Sequence, residues 1–179
     1  MQEIQLTPTS FIVLGLLAQA GEATPYELKR IVDGSVGHFW SLPRSQLYAE
    51  PARLARAGYL TEEQEQEGRR RKLYALTEQG QKALAQWIDT PTQEFPELRD
   101  LAFLKLYFGA DPTAMAKAQL AVLRPLLKAY EAMLALDSGV GPRGPVQTLQ
   151  TGVEHVRVAI DSWERIAQED RLAQVGSLK

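Results

Sequence analysis

The chain has no cysteine. Disulfides, thiolate metal sites and cysteine nucleophiles are excluded together. Histidine is scarce: His38 and His155 lie far apart, with no serine or cysteine motif around either. No G-x-S-x-G, P-loop or H-E-x-x-H pattern occurs. Acidic pairs such as Glu62-Glu63 fall in a polar stretch where nothing would shift a carboxylate. The sequence therefore predicts no enzyme, no cofactor and no metal site. Long apolar runs are missing as well. Phe11–Ala18 is far short of the roughly 20 residues that span a bilayer. Met1–Leu6 lacks the basic segment of a secretory leader. The expectation is a cytoplasmic protein with no membrane partner.

What is present suits a folded globular protein of modest size. The 179 residues are 45% hydrophobic and 23% charged, enough for one ordinary core or two small ones. The formal net charge of −2 argues weakly against nucleic acid, but binding depends on where charge sits. Arg69, Arg70, Arg71 and Lys72 form an uninterrupted basic run, while Glu62, Glu63, Glu65 and Glu67 cluster just before it.

Helix signals punctuate the first half. Thr7-Pro8 and Thr24-Pro25 each combine an N-cap with a proline at the first helical position. They predict a helix to Gly21 and a second to about Val32. A third follows Ser41-Leu42-Pro43 and stops at Gly58. Its interior Pro51 removes one hydrogen bond and predicts a kink or irregular turn near Leu47–Pro51. Tyr59–Thr61 and Lys72–Thr77 have strand character and bracket a polar loop, a hairpin with a long exposed tip. Thr77 then caps a helix to about Asp89, with Leu84, Trp87 and Ile88 on its apolar side. Thr90-Pro91 and Phe95-Pro96 mark a linker. Beyond it, helices are expected over about Glu97–Phe108, Pro112–Leu136 (bent at Pro125) and Val146–Leu172.

Two of these helices carry seven-residue periodicity. Ala116, Leu120, Leu123, Leu127, Tyr130 and Leu134 form one seam; Val146, Leu149, Val153, Val156, Ile160, Trp163 and Ala167 form the other. The seams suit either an intramolecular hairpin alone or a hairpin that also meets a second copy. The expected fold is mainly α: a winged helix-turn-helix of three helices plus a β-hairpin over residues 1–90, then a helical dimerisation domain over residues 91–179. Dimer contacts are expected at Leu149, Val153, Val156, Ile160 and Trp163.

Three helices followed by a hairpin suit duplex DNA, with the third helix entering the major groove and the hairpin lying over phosphates. Residues 11–87 also resemble the PadR family of transcriptional regulators. The resemblance is carried by Leu14-Gly15-Leu16-Leu17, Pro25-Tyr26-Glu27-Leu28, Phe39-Trp40-Ser41, Gln46-Leu47-Tyr48, Arg53-Leu54 and Gly58-Tyr59-Leu60. It continues through Gly68-Arg69-Arg70-Arg71-Lys72-Leu73-Tyr74 and Leu76-Thr77-Glu78-Gln79-Gly80. From Phe95-Pro96-Glu97-Leu98-Arg99 onward, the chain is similar to the longer-tailed subgroup. The resemblance implies a homodimer that represses from an inverted repeat and answers to a small aromatic or apolar effector. Pro25 and Pro51 stand where many members carry glycine and leucine.

On both readings Arg44, Ser45, Gln46 and Tyr48 occupy the DNA-reading turns of the third helix. Arginine and glutamine can pair with guanine and adenine edges. Tyr26 and Lys29 suit phosphates from the second helix, and Arg69, Arg70, Arg71 and Lys72 suit phosphates from the wing. Tyr48 serves equally well as a packing residue, and Phe39-Trp40 suits the core or a buttress for the third helix. Trp40, Trp87 and Trp163 are the side chains best able to line an apolar effector cavity near the domain junction. A winged helix that binds protein instead of DNA is the alternative.

Overall fold

A computed structural model describes residues 4–65, 70–94, 99–139 and 142–176, without the side chains of His38 and of residues 171–176. Threonine-proline steps open the first two helices. At α1 (Pro8–Ala20), Thr7 Oγ1 accepts from the Ser10 N–H while Ser10 Oγ accepts from the Thr7 N–H. At α2 (Pro25–Asp33), Thr24 and Glu27 make the same reciprocal pair. Each box satisfies donors that a helix start leaves free. Between them lies β1 (Glu22–Ala23), which the sequence did not announce because two residues carry no periodicity.

A short 3-10 turn, Val36–His38, leads to α3 (Arg44–Arg56). Of the expected kink or irregular turn at Leu47–Pro51, the irregular turn does not occur: the helix is continuous through Pro51. Proline removes a single N–H from the ladder, and Leu47, Pro51 and Leu54 are all buried, so burial on that face offsets the lost bond. Leu47 and Leu54 join Val13, Leu14 and Leu17 of α1 and Leu28 and Val32 of α2 in one core.

Helix α3 ends in a Schellman motif. The Tyr59 N–H reaches Leu54 O at 3.0 Å and the Gly58 N–H reaches Ala55 O at 3.0 Å. Gly58 takes φ +87°, a conformation that glycine adopts without a Cβ penalty. The motif turns the chain into β2 (Leu60–Gln64), which pairs antiparallel with β3 (Lys72–Leu76). The sheet order is β1-β3-β2. Strand β2 runs three residues beyond the expected Thr61, into the acidic stretch, where Glu62 faces Tyr74 and Gln64 faces Lys72. Helix α4 (Glu78–Asp89) begins at Thr77, whose hydroxyl accepts from the Gly80 N–H and donates to Gly58 O. Leu84 enters the core, but Trp87 and Ile88 do not. Trp87 is half exposed and stacks on Phe11, with ring centroids 4.7 Å apart.

The chain divides into two compact units, Met1–Glu94 and Phe95–Lys179. In the second, α5 (Leu101–Tyr107) starts at Asp100, whose carboxylate accepts from the Ala102 and Phe103 N–H groups. The earlier start expected at Glu97 falls outside the described residues. Helix α6 (Pro112–Ala135) is capped by Asp111 and continues through Pro125, and α7 (Arg143–Gly176) starts three residues before the expected Val146. Cross-links between the two descend one helix as they climb the other: Thr113 to Asp170, Arg124 to Glu164 and Glu131 to Arg157. The pair is antiparallel.

The two seams meet each other. Val153, Val156 and Ile160 pack with Tyr130, Leu120 and Leu123, and Leu149 lies at the edge of this cluster. Trp163 is 1% exposed and stacks on Phe103 at 4.7 Å, with Ala116 and Ala167 beside it. The seam expected to meet a second copy is therefore occupied within one chain. Two facing apolar stripes joined by a short loop cover each other before any partner arrives.

Gly80 presses against the Gly58–Tyr59 turn. A Cβ there would lie 2.2 Å from Tyr59 O and 2.9 Å from Leu76 Cδ2. Gly80→Ala should destabilise the protein by about 1–3 kcal/mol through overpacking, read as a lowered midpoint in urea unfolding. An unchanged midpoint would show that α4 slides freely on the hairpin.

Candidate nucleic-acid interface

One face of α3 is fixed by a polar clamp. Ser10, fully buried in α1, donates its hydroxyl to Glu50 Oε1 at 2.6 Å. Arg53 meets the same carboxylate at both oxygens, through Nη2 at 2.6 Å and Nε at 2.9 Å. It also donates to Ser10 Oγ and to Gln5 O. Burial alone would raise the Glu50 carboxyl. The Arg53 and Ser10 hydrogen bonds outweigh it and hold the group below its ordinary value. The arginine fork makes this a charge-assisted bidentate pair.

The opposite face is open. Arg44, Ser45 and Gln46 form the exposed first turn of α3, and Tyr48 is 45% exposed. Tyr48 is thus on the surface, not in the core. Helix α3 starts at Pro43 with no side-chain cap, whereas α1, α2, α4, α5 and α6 each have one. Gln46 lends its amide oxygen to Thr9 at 3.3 Å. Phe39 and Trp40, expected as core or buttress, stay out of the core: Phe39 is largely exposed and Trp40 about half exposed. Trp40 flanks an open groove of about 520 Å³ beside Gln46, Ala49 and Arg53. The three tryptophans have separate surroundings in their own units: this groove, the stack on Phe11 and the stack on Phe103.

The remaining cationic residues differ in how far their charge is free. Tyr26 is exposed in the first turn of α2, while Lys29 is paired with Asp33 one turn on. On the wing, Arg71 pairs with Glu65 at 2.9 Å and Lys72 with Glu62 at 2.6 Å. Two of the four wing cations expected to meet phosphates are therefore already paired within the chain. Arg70 is exposed, adopts φ +49° and has no ion pair with a described acid. Arg69 lies outside the described residues. Glu62 also accepts from the Tyr74 hydroxyl at 2.8 Å, and the Lys72 and Tyr74 bonds hold its carboxyl below the ordinary value. Burial and the Glu62 bond push Tyr74 up to about 12. These acidic partners were missed because the sequence places them six (Glu65–Arg71) and ten (Glu62–Lys72) residues from their cations, and only the hairpin register joins them.

Three packed helices with a hairpin wing beside an exposed helix face define a winged helix-turn-helix protein. Residues 13–86 match the transcriptional regulator PadR-like family. The family consists of regulators of transcription, not enzymes. The negative transcriptional regulator PadR of Bacillus subtilis (strain 168) is 34% identical over 101 residues, which span 55% of this chain and 54% of that protein. The crystal structure of Bacillus subtilis PadR in complex with operator DNA superposes with a TM-score of 0.77 at 25% identity, covering 90% of this chain and 98% of that one. The structure of Bacillus subtilis PadR with p-coumaric acid gives 0.71 at 23% identity, covering 93% and 99%. Among the described residues, no helix is long and apolar enough to cross a membrane.

The clamp makes stability acid-sensitive. Because Glu50 titrates lower in the folded chain, its contribution is complete above the unfolded value near 4.5 and is lost as pH falls through the folded value. Glu50→Gln should cost about 1–3 kcal/mol at neutral pH and should lose less than the wild type on acidification. Parallel acid limbs in denaturation curves of the two proteins would remove Glu50 from this role.

Proposed function

We propose that this protein is a sequence-specific DNA-binding transcriptional regulator. In this reading it is a cytoplasmic repressor that binds an inverted repeat as a homodimer and is released by a small apolar or aromatic effector. The observation that carries the proposal is the division of α3 into a clamped, buried face and an exposed face bearing Arg44, Ser45, Gln46 and Tyr48. A helix so held can present its first turn to base edges with a defined aim. The uncapped N-terminus of α3 suits a phosphate, since free N–H groups and the helix dipole both favour an anion. Tyr26, Arg70 and, after exchange of partners, Lys29, Arg71 and Lys72 would contact the backbone; Arg69 belongs to the same basic run. Support for the effector is that the Bacillus subtilis relative has been crystallised with p-coumaric acid.

A gel-shift titration over several salt concentrations tests this, using duplex from upstream of the protein's own gene and a scrambled duplex. Arg44→Ala or Gln46→Ala should cost roughly 1–3 kcal/mol on the specific duplex and much less on the scrambled one. Wing alanines should weaken both alike and lower the salt slope by about 0.9 for each phosphate no longer neutralised. Absence of binding to either duplex would favour the protein-binding adaptor.

For the homodimer, the seam Leu149–Trp163 is already covered, so the proposed surface is the outward side of α5. Leu101 and Leu104 share one helical face there, Phe108 ends the helix, and all three are exposed. Light scattering of the whole protein should give a dimer mass. Phe108→Glu should give a folded monomer, whereas Val156→Glu should unfold the α6–α7 hairpin. A monomeric wild type at micromolar concentration would refute the dimer.

A further inference from the structure

Strand β2 sets acidic residues beside the basic arm of the hairpin. Every residue after Leu60 is exposed, and Glu62, Glu63 and, just beyond the strand, Glu65 add negative charge beside the cationic arm. Two of these acids are held in defined places. Glu62 lies opposite Tyr74 in the ladder, and Tyr74 is 2% exposed, so its hydroxyl fixes one carboxylate oxygen at 2.8 Å. The other oxygen meets Lys72 Nζ at 2.6 Å, across the diagonal of the same sheet face. Glu65 holds Arg71 through both carboxylate oxygens, Nε to Oε2 at 3.0 Å and Nη2 to Oε1 at 2.9 Å. Its N–H also donates to Arg71 O at 2.9 Å, closing the strand pair around the ion pair. Glu63 carries the same charge on the same strand, but no described cation pairs with it.

We propose that Glu62 and Glu65 are intramolecular competitors of phosphate that restrain the sequence-independent affinity of the wing. This rests on the DNA-binding reading above. Arg71 and Lys72 cannot give their full charge to a phosphate without leaving, or sharing with, a carboxylate already placed for them. The exchange is unfavourable for every DNA sequence alike, so it lowers backbone binding while the bonds of α3 to bases are untouched. The pairs are partly solvated, so the restraint is graded: strong enough to weaken casual binding and weak enough for a phosphate to displace it.

The test is a double-mutant cycle on the whole protein, with binding to a duplex of random sequence measured at several salt concentrations. Glutamine keeps the shape at both sites, and at position 62 it still accepts from Tyr74, so thermal unfolding of each variant should match the wild type. Glu62→Gln and Glu65→Gln should each raise affinity by roughly 1.5- to 5-fold, with a steeper salt dependence. Glu63→Gln should raise it less. The gain from Glu65→Gln should vanish in an Arg71→Ala background, and that from Glu62→Gln in a Lys72→Ala background. Equal gains from all three glutamines, persisting in the alanine backgrounds, would mean a diffuse charge effect and overturn the proposal. So would a loss of affinity in the glutamine variants, which would make the acids positioning groups for their cations. In both cases Arg71→Ala still weakens binding and the DNA-binding reading stands. If wild type and variants alike fail to bind, that reading falls and takes this one with it.

Discussion

Ser10, Glu50 and Arg53 decide how α3 can meet a partner. A helix with apolar residues on one stripe can rotate or slide against neighbours of similar shape with little penalty. The Glu50–Arg53 pair lies within α3 and moves with it, so what resists displacement is the bonds that leave the helix, from the Ser10 hydroxyl to Glu50 and from Arg53 to Ser10 Oγ and Gln5 O, whose loss would leave buried polar groups unsatisfied. The clamp reaches across the start of α1 to the preceding segment at Gln5. It therefore fixes α3 to the same turn that the Thr7–Ser10 capping box organises. The outward aim of Arg44, Ser45 and Gln46 follows from this attachment more than from anything in those residues.

The wing is set by a second group of constraints that converge on one turn. Gly58 releases α3 into β2, Thr77 bonds back to Gly58, and Gly80 lets α4 approach Tyr59 without a Cβ in between. The hairpin register that results is also what puts Glu62 beside Lys72 and Tyr74. Geometry and electrostatics of the wing are thus one property. A one-residue slip would turn these side chains to the other face and free the cations.

In the second unit the governing fact is that two apolar seams on one chain find each other. Small residues make this close: Ala116 and Ala167 leave room for Trp163 on Phe103, and Gly152 faces the ring of Tyr130. Ion pairs along the rim, Arg124 with Glu164 and Arg157 with Glu131, are exposed and contribute mainly register. What remains outward on α5 is apolar and uncovered, a feature that seam periodicity alone did not single out.

Local chemistry determined the caps, the helix starts at Thr7, Thr24, Thr77 and Asp111, the winged-helix order and the two seams. Each depends on residues within one or two turns of one another, so each is legible without the fold. The tertiary structure decided the rest. Pro51 keeps α3 continuous because its neighbours are buried, Phe39 and Trp40 lie at the surface, and β1 exists only as a partner for β3. Whether a seam meets its own chain and whether a cation is free or paired are likewise questions of which distant residues come together. Helix propensity and charge count are local quantities, whereas burial and pairing across a sheet are relations between segments, and only the packed chain contains them.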